Sequence, residues 1–157
     1  MNKPPLERSL ALAAALLWLS HTASWAQPAT DQTAPRGHWI TASGNLEVNI
    51  APCADQAPTS PQPALCGTVI RVMANHSMTQ GGSDMKPVDA RPALGMQILS
   101  GFQPAPDGAP QWDGEIYNRE NGKTYSCRMS LDGQGGLVLH AYVGLPLFGK
   151  TQVWRRP

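Results

Sequence analysis

An all-β fold is predicted: an eight-stranded antiparallel up-and-down barrel, formed by a single domain at residues 37–157. Three observations predict it. No segment of that stretch keeps a 3.6-residue apolar period. Short runs of two-residue alternation recur instead, rich in Val, Ile, Tyr and Trp. Turn signals such as Ser43-Gly44-Asn45, Asn121-Gly122 and Asp132-Gly133 separate them. Consecutive hairpins favour an up-and-down order, and eight strands close a barrel wide enough for packed side chains or one small ligand.

The strands follow in order. Residues 38–42 start the first, and Ser43-Gly44-Asn45 turns the chain into the second. There Leu46, Val48 and Ile50 alternate with Asn45, Glu47 and Asn49, which puts an apolar face inward. Residues 65–73 are the third strand and residues 94–102 the fourth, with Leu94, Met96, Ile98, Ser100 and Phe102 on one face. Residues 111–118 are the fifth, and Asn121-Gly122 leads to the sixth at 123–131. Tyr125, Cys127, Met129 and Leu131 of the sixth face in. Residues 137–143 and 148–155 are the seventh and eighth. The eighth belongs to an apolar tail, residues 143–156, that ends Trp154-Arg155-Arg156. Loose chain ends are usually small and polar, so this tail is expected to pair with the first strand and close the barrel. Between the third and fourth strands, residues 74–92 form a long polar segment, either a lid or a plain connection.

Residues 1–26 are excluded from the fold. Lys3 and Arg8 precede an apolar run at 9–19, too short to span a bilayer, and Ser24 and Ala26 place small residues before a cut at Gln27. That is a signal peptide, followed by a flexible lead-in at 27–36. The expected location is the periplasm of a Gram-negative bacterium, or outside the cell. The mature chain has no further transmembrane segment.

The chain carries 12 basic and 11 acidic residues. The leader takes two of the former and one of the latter, so the mature chain is neutral. Neutrality argues against nucleic acid and against an anionic membrane surface. Export permits disulfides. Cys53 and Cys66 flank a Pro-rich loop at facing strand ends, and a bridge between them would add ~3 kcal/mol by restricting the unfolded chain. Cys127 lies within a strand and reads as a small buried apolar residue. The cysteine spacing is not that of a zinc site, and His38, His76 and His140 lie in separate segments.

Several pieces of the chain resemble the bacterial exported family known as domain of unknown function 2147. They include Gly37-His38-Trp39, Ile50-Ala51-Pro52-Cys53, Leu65-Cys66-Gly67, Ile98-Leu99-Ser100-Gly101-Phe102, Gly114-Glu115-Ile116-Tyr117-Asn118, Gly122-Lys123-Thr124-Tyr125-Ser126, and the tail through Phe148-Gly149 to Trp154. The resemblance implies a lipocalin-like barrel and an exported protein, and supplies no activity. Gly37-His38-Trp39 is also similar to the lipocalin signature. That likeness implies that Trp39 plugs one barrel end under a guanidinium from the last strand, with Arg155 the best match and Arg156 second. Trp39, Trp154 and Arg155 are therefore the expected closure residues.

No catalytic constellation stands out, and no enzyme activity or cofactor is expected. Asp113 and Glu115 share the solvated face of a strand, and Lys123-Thr124 and Lys150-Thr151 lack the glycine-rich lead of a phosphate loop. The function then rests on the barrel interior. Val48, Ile50, Val69, Met96, Ile98, Ile116, Tyr125, Met129, Leu137 and Leu139 are the inward set, and Tyr125 supplies a hydroxyl. They form either the wall of a pocket for a small apolar or amphipathic molecule, or a solid core. With a solid core the protein would instead be an envelope interaction or structural module working through its loops. The sequence identifies no protein partner.

Overall fold

The computed structural model describes residues 35–55, 63–77 and 83–157. The expected signal peptide and residues 27–34 of the lead-in lie outside the described residues, as do residues 78–82 of the long loop. Eight strands follow in order: β1 (Gly37–Ile40), β2 (Leu46–Pro52), β3 (Leu65–Val72), β4 (Gln97–Pro104), β5 (Gln111–Asn118), β6 (Lys123–Leu131), β7 (Leu137–Tyr142) and β8 (Gly149–Trp154). They form one antiparallel sheet in which each strand pairs with its neighbours in sequence. The fold is therefore all-β and up-and-down, as the alternation and turn signals predict.

The sheet curls until its two edges meet at a single bridge. The Ile40 N–H donates to the Arg155 carbonyl at 2.8 Å, and the Arg155 N–H donates to the Ile40 carbonyl at 3.1 Å. The bridge is antiparallel, so one step onward along the tail and one step back along β1 bring Arg156 opposite Trp39. That register corrects the expectation for the guanidinium. Arg156, not Arg155, lies over the indole, with its guanidinium carbon 3.7 Å from the ring centroid. Side chains alternate across a strand, so with Trp154 directed inward the next residue directed to that side is Arg156. Arg155 contributes to closure through its backbone.

The Trp39 cap explains the Gly-x-Trp spacing. Arg156 Nη1 donates to the carbonyls of Arg36 (3.0 Å) and His38 (3.2 Å). Gly37 has φ +98°, and a Cβ there would stand 2.9 Å from that nitrogen. Only glycine accepts both the backbone angle and the guanidinium. The Trp39 Nε1–H in turn donates to the Pro35 carbonyl at 2.9 Å, which satisfies the one polar atom of a buried indole.

The core is continuous. Trp39, Val48, Ile50, Leu65, Val69, Leu99, Phe102, Met129, Leu137, Leu139 and Trp154 are among the buried side chains that pack together. Gly67 and Gly114 make room for the larger ones: a Cβ on Gly67 would come within 2.8 Å of Leu99, and one on Gly114 within 2.7 Å of Phe102. Cys127 is fully buried in the same cluster, and burial pushes its thiol up to about 12. Cys53 and Cys66 form the expected disulfide and pack with Ala64 in a small satellite cluster.

The fourth strand departs from the expected pattern. It begins at Gln97, and Leu94 is 61% exposed rather than inward. Gly67 faces Leu99 while Thr68 faces Gln97, so Ile98 has no opposite residue. A bulge of this kind lets two neighbouring side chains share a face, and Ile98 and Leu99 are both buried. A second irregularity follows at Gly101, whose φ is +65°. It returns Phe102 to the interior and leaves Ser100 off the apolar face.

A candidate binding cavity at the barrel mouth

In an up-and-down order alternate connections fall at the same barrel end. The β1–β2, β3–β4, β5–β6 and β7–β8 connections share one mouth, and a cavity of about 290 Å³ opens there. Ile98, Ile116 and Trp154 are the buried apolar members of its wall, with Leu46, Val72, Met85, Tyr125 and Ala141 completing it. Asn45, Asn75, Asn118, Arg119, Lys150 and Gln152 supply the polar groups. Apolar walls with a few placed polar groups are the usual make-up of small-molecule sites, and this volume lies at the small end of their range.

The structure divides the ten residues of the predicted inward set. Ile98, Ile116 and Tyr125 line the cavity. Val48, Ile50, Val69, Met129, Leu137 and Leu139 are buried in the packed core instead. Met96 packs against the core from the flank and borders a shallow outer groove with Leu94, Ser100 and Tyr117. The interior is thus packed on the Trp39 side and open at the mouth. The Tyr125 hydroxyl accepts a hydrogen bond from Asn121 Nδ2 at 2.8 Å.

Residues on the connections, which alternation does not single out, supply Asn45, Asn75 and Arg119 to the polar rim, while Asn118, Lys150 and Gln152 come from β5 and β8. Asn45 ties the first hairpin to the long loop: its Nδ2–H donates to the His76 carbonyl at 2.7 Å, and its Oδ1 accepts the His76 N–H at 2.9 Å. Within that loop His76 and Asp84 form a bridge, and Met85 N–H donates to Asn75 O at 2.9 Å. Further along, the loop is fastened to the β5–β6 turn. Val88 N–H donates to Glu120 O at 3.3 Å, and Arg119 Nη2 donates to the Arg91 carbonyl at 2.9 Å and the Asp89 carbonyl at 3.4 Å.

Asp89 is the centre of this fastening. Arg91 grips its carboxylate through Nε and Nη2, and the Tyr117 hydroxyl donates to Oδ2 at 2.7 Å. The Arg91 hydrogen bonds, then that of Tyr117, hold the carboxyl well below the usual carboxylate range. The same bond to Asp89 raises the Tyr117 phenol. Across the mouth, His140 pins the β7–β8 turn: its ring nitrogens bond Thr151 Oγ1 at 2.8 Å and the Pro146 carbonyl at 2.6 Å. The turn itself holds Val143, Leu145, Leu147 and Phe148 in solvent, each at least 66% exposed.

The other charged groups singled out by sequence lie elsewhere. Asp113 pairs with Arg128 at 2.9 Å on the outer face of β5 and β6. Glu47 is buried between His38 and Arg71 and bonds both. Among the described residues, no group of three or more His, Cys, Asp or Glu is placed to hold a metal ion. Nor is any helix there long and apolar enough to cross a membrane.

A model of the family described as "Uncharacterized protein conserved in bacteria (DUF2147)" matches residues 37–156. The chain belongs to that family. The match begins at the glycine that admits the Trp39 cap and ends at the arginine that forms it. The DUF2147 segment therefore coincides with the curled sheet from its first strand to its closure. No curated protein and no solved structure matches the chain.

Proposed function

We propose that this DUF2147 protein is an exported binding protein that holds a small amphipathic molecule in the mouth cavity. The observation that carries the reading is the cavity's construction: an apolar inner wall of Ile98, Ile116 and Trp154 beneath a rim of amide and basic side chains. An amphipathic molecule would bury its apolar part against that wall and keep its polar group at the rim. The Cys53–Cys66 disulfide supports export, since such bonds persist in oxidising compartments. The protein acts by binding rather than catalysis in this reading. In support, the described lining is of Thr, Ser, Asn, Gln, Tyr, Arg and Lys besides apolar residues, without a His, Cys, Asp or Glu to act as base or nucleophile.

Native mass spectrometry of protein purified from the periplasm tests the reading, together with titration of the neutral fluorophore N-phenyl-1-naphthylamine. We expect a copurifying small molecule, and fluorophore binding that Ile116→Trp abolishes by filling the cavity. No copurifying molecule, with no binding sensitive to Ile116→Trp, would refute it. The second reading, an interaction module, draws support from the exposed 143–148 turn. In that case Leu147→Ser/Phe148→Ser would abolish partner capture while leaving fluorophore binding unchanged.

A further inference from the structure

We infer that the molecule held in the mouth cavity is an anion, a short-chain or single-ring carboxylic acid whose carboxylate is received by Arg119. The inference rests on the binding reading above and adds the charge of the ligand and the residue that selects it. Two basic side chains, Arg119 and Lys150, line the cavity, and no acidic side chain lines it among the described residues. A site with that balance favours a negative occupant.

Arg119 is the specific receptor. Among the described residues its Nη2 donates only to backbone carbonyls, those of Asp89 and Arg91. These orient the guanidinium without neutralising it. Its Nε is shielded from solvent and meets no acceptor among the described residues. The neighbouring Asp89 carboxylate does not serve, because Arg91 and Tyr117 already hold it. The Glu120 carboxylate accepts the Ser77 hydroxyl. Guanidinium donors match the planar geometry of a carboxylate. The volume of about 290 Å³ restricts the acid to a small one.

The test uses three probes of equal chain length on delipidated, disulfide-intact protein: octanoate, 1-octanol and octylammonium, titrated calorimetrically at neutral pH. Octanoate is expected to bind at least ~10-fold more tightly than 1-octanol, and octylammonium the most weakly of the three; ~10-fold is what one charge-assisted hydrogen bond supplies at the lower end of its range. Arg119→Gln is expected to remove the advantage of octanoate over 1-octanol, and Arg119→Lys to retain part of it. Equal binding of octanoate and 1-octanol by the wild type, or an unchanged preference in Arg119→Gln, overturns the inference and leaves the binding reading intact. Failure of all three probes to bind overturns both. Arg119 also fastens the 89–91 segment, so should Arg119→Gln not fold, the wild-type ranking of the probes decides alone.

Discussion

Replacing Arg156 by alanine removes the cap on Trp39. Three contributions are lost together: the guanidinium over the indole at 3.7 Å, and the bonds from Nη1 to the carbonyls of Arg36 and His38. A cation over an aromatic face contributes ~0.5–1 kcal/mol where water reaches it. The shared donor contributes about 1.5 kcal/mol as a charge-assisted bond, the low end of the range because Arg156 is partly solvated. The expected loss is roughly 2 kcal/mol, or about 1 M in the urea midpoint for a slope near 2 kcal/mol/M. Arg155→Ala supplies the control. Its side chain is exposed and its two bridge bonds to Ile40 are made by the backbone, so the change should stay within about 0.5 kcal/mol. Equilibrium urea unfolding followed by tryptophan fluorescence measures both. Gly37→Ala should lose at least ~1 kcal/mol by the same assay, from its φ of +98° and the added Cβ against Nη1. An Arg155→Ala loss equal to or larger than that of Arg156→Ala would refute the register that puts Arg156 opposite Trp39.

The Cys127 thiol titrates near 12 in the fold against an ordinary 9, because burial disfavours the thiolate. The folded state therefore keeps a proton that the unfolded state releases, and the stability tied to Cys127 is complete below pH 9 and lost as pH rises to about 12. Unfolding curves should show wild-type stability falling faster than that of Cys127→Ala across that window, and parallel slopes would contradict the assignment. Deleting residues 148–157 removes β8, Trp154 and the Ile40–Arg155 bridge together. The truncated chain is expected to show no cooperative melting transition by circular dichroism; a soluble fragment with a sharp melt would mean that the sheet stands without its closing strand.

The strands were legible in the sequence because their two-residue alternation and their turns agree. β5 and β6 have the expected bounds, and β6 buries Cys127 and Met129 as its period requires. Glycines at left-handed angles, such as Gly44 and Gly122, occupy the turns where sequence places them. β4 was less legible, since alternation assumes one residue per step and a bulge inserts an extra one. Once Ile98 stands without an opposite, Leu99 joins it on the buried face and Ser100 leaves the apolar face, while Leu94 lies in the turn before β4 and reaches solvent there. The choice between Arg155 and Arg156 failed for a related reason. Register at a barrel seam depends on which residue's backbone meets Ile40, and no pattern within the tail alone specifies that.

The cavity was harder still to read, because an inward-facing apolar side chain looks the same in sequence whether it meets another side chain or an open space. What separates the two is whether residues from other strands reach it. On the Trp39 side they do: the two indoles, Phe102 and the leucines of β4 and β7 fill the width. At the mouth Ile98, Ile116 and Tyr125 border open space together with Ala141, Asn118 and Gln152. Half of the polar rim comes from connections, where alternation carries no information and only tertiary contact brings Asn45 to His76 and Arg119 to residues 89 and 91. The wall of the candidate site is therefore partly written in strand periodicity, while Arg119 is set by how residues 88–91 lie across the β5–β6 turn.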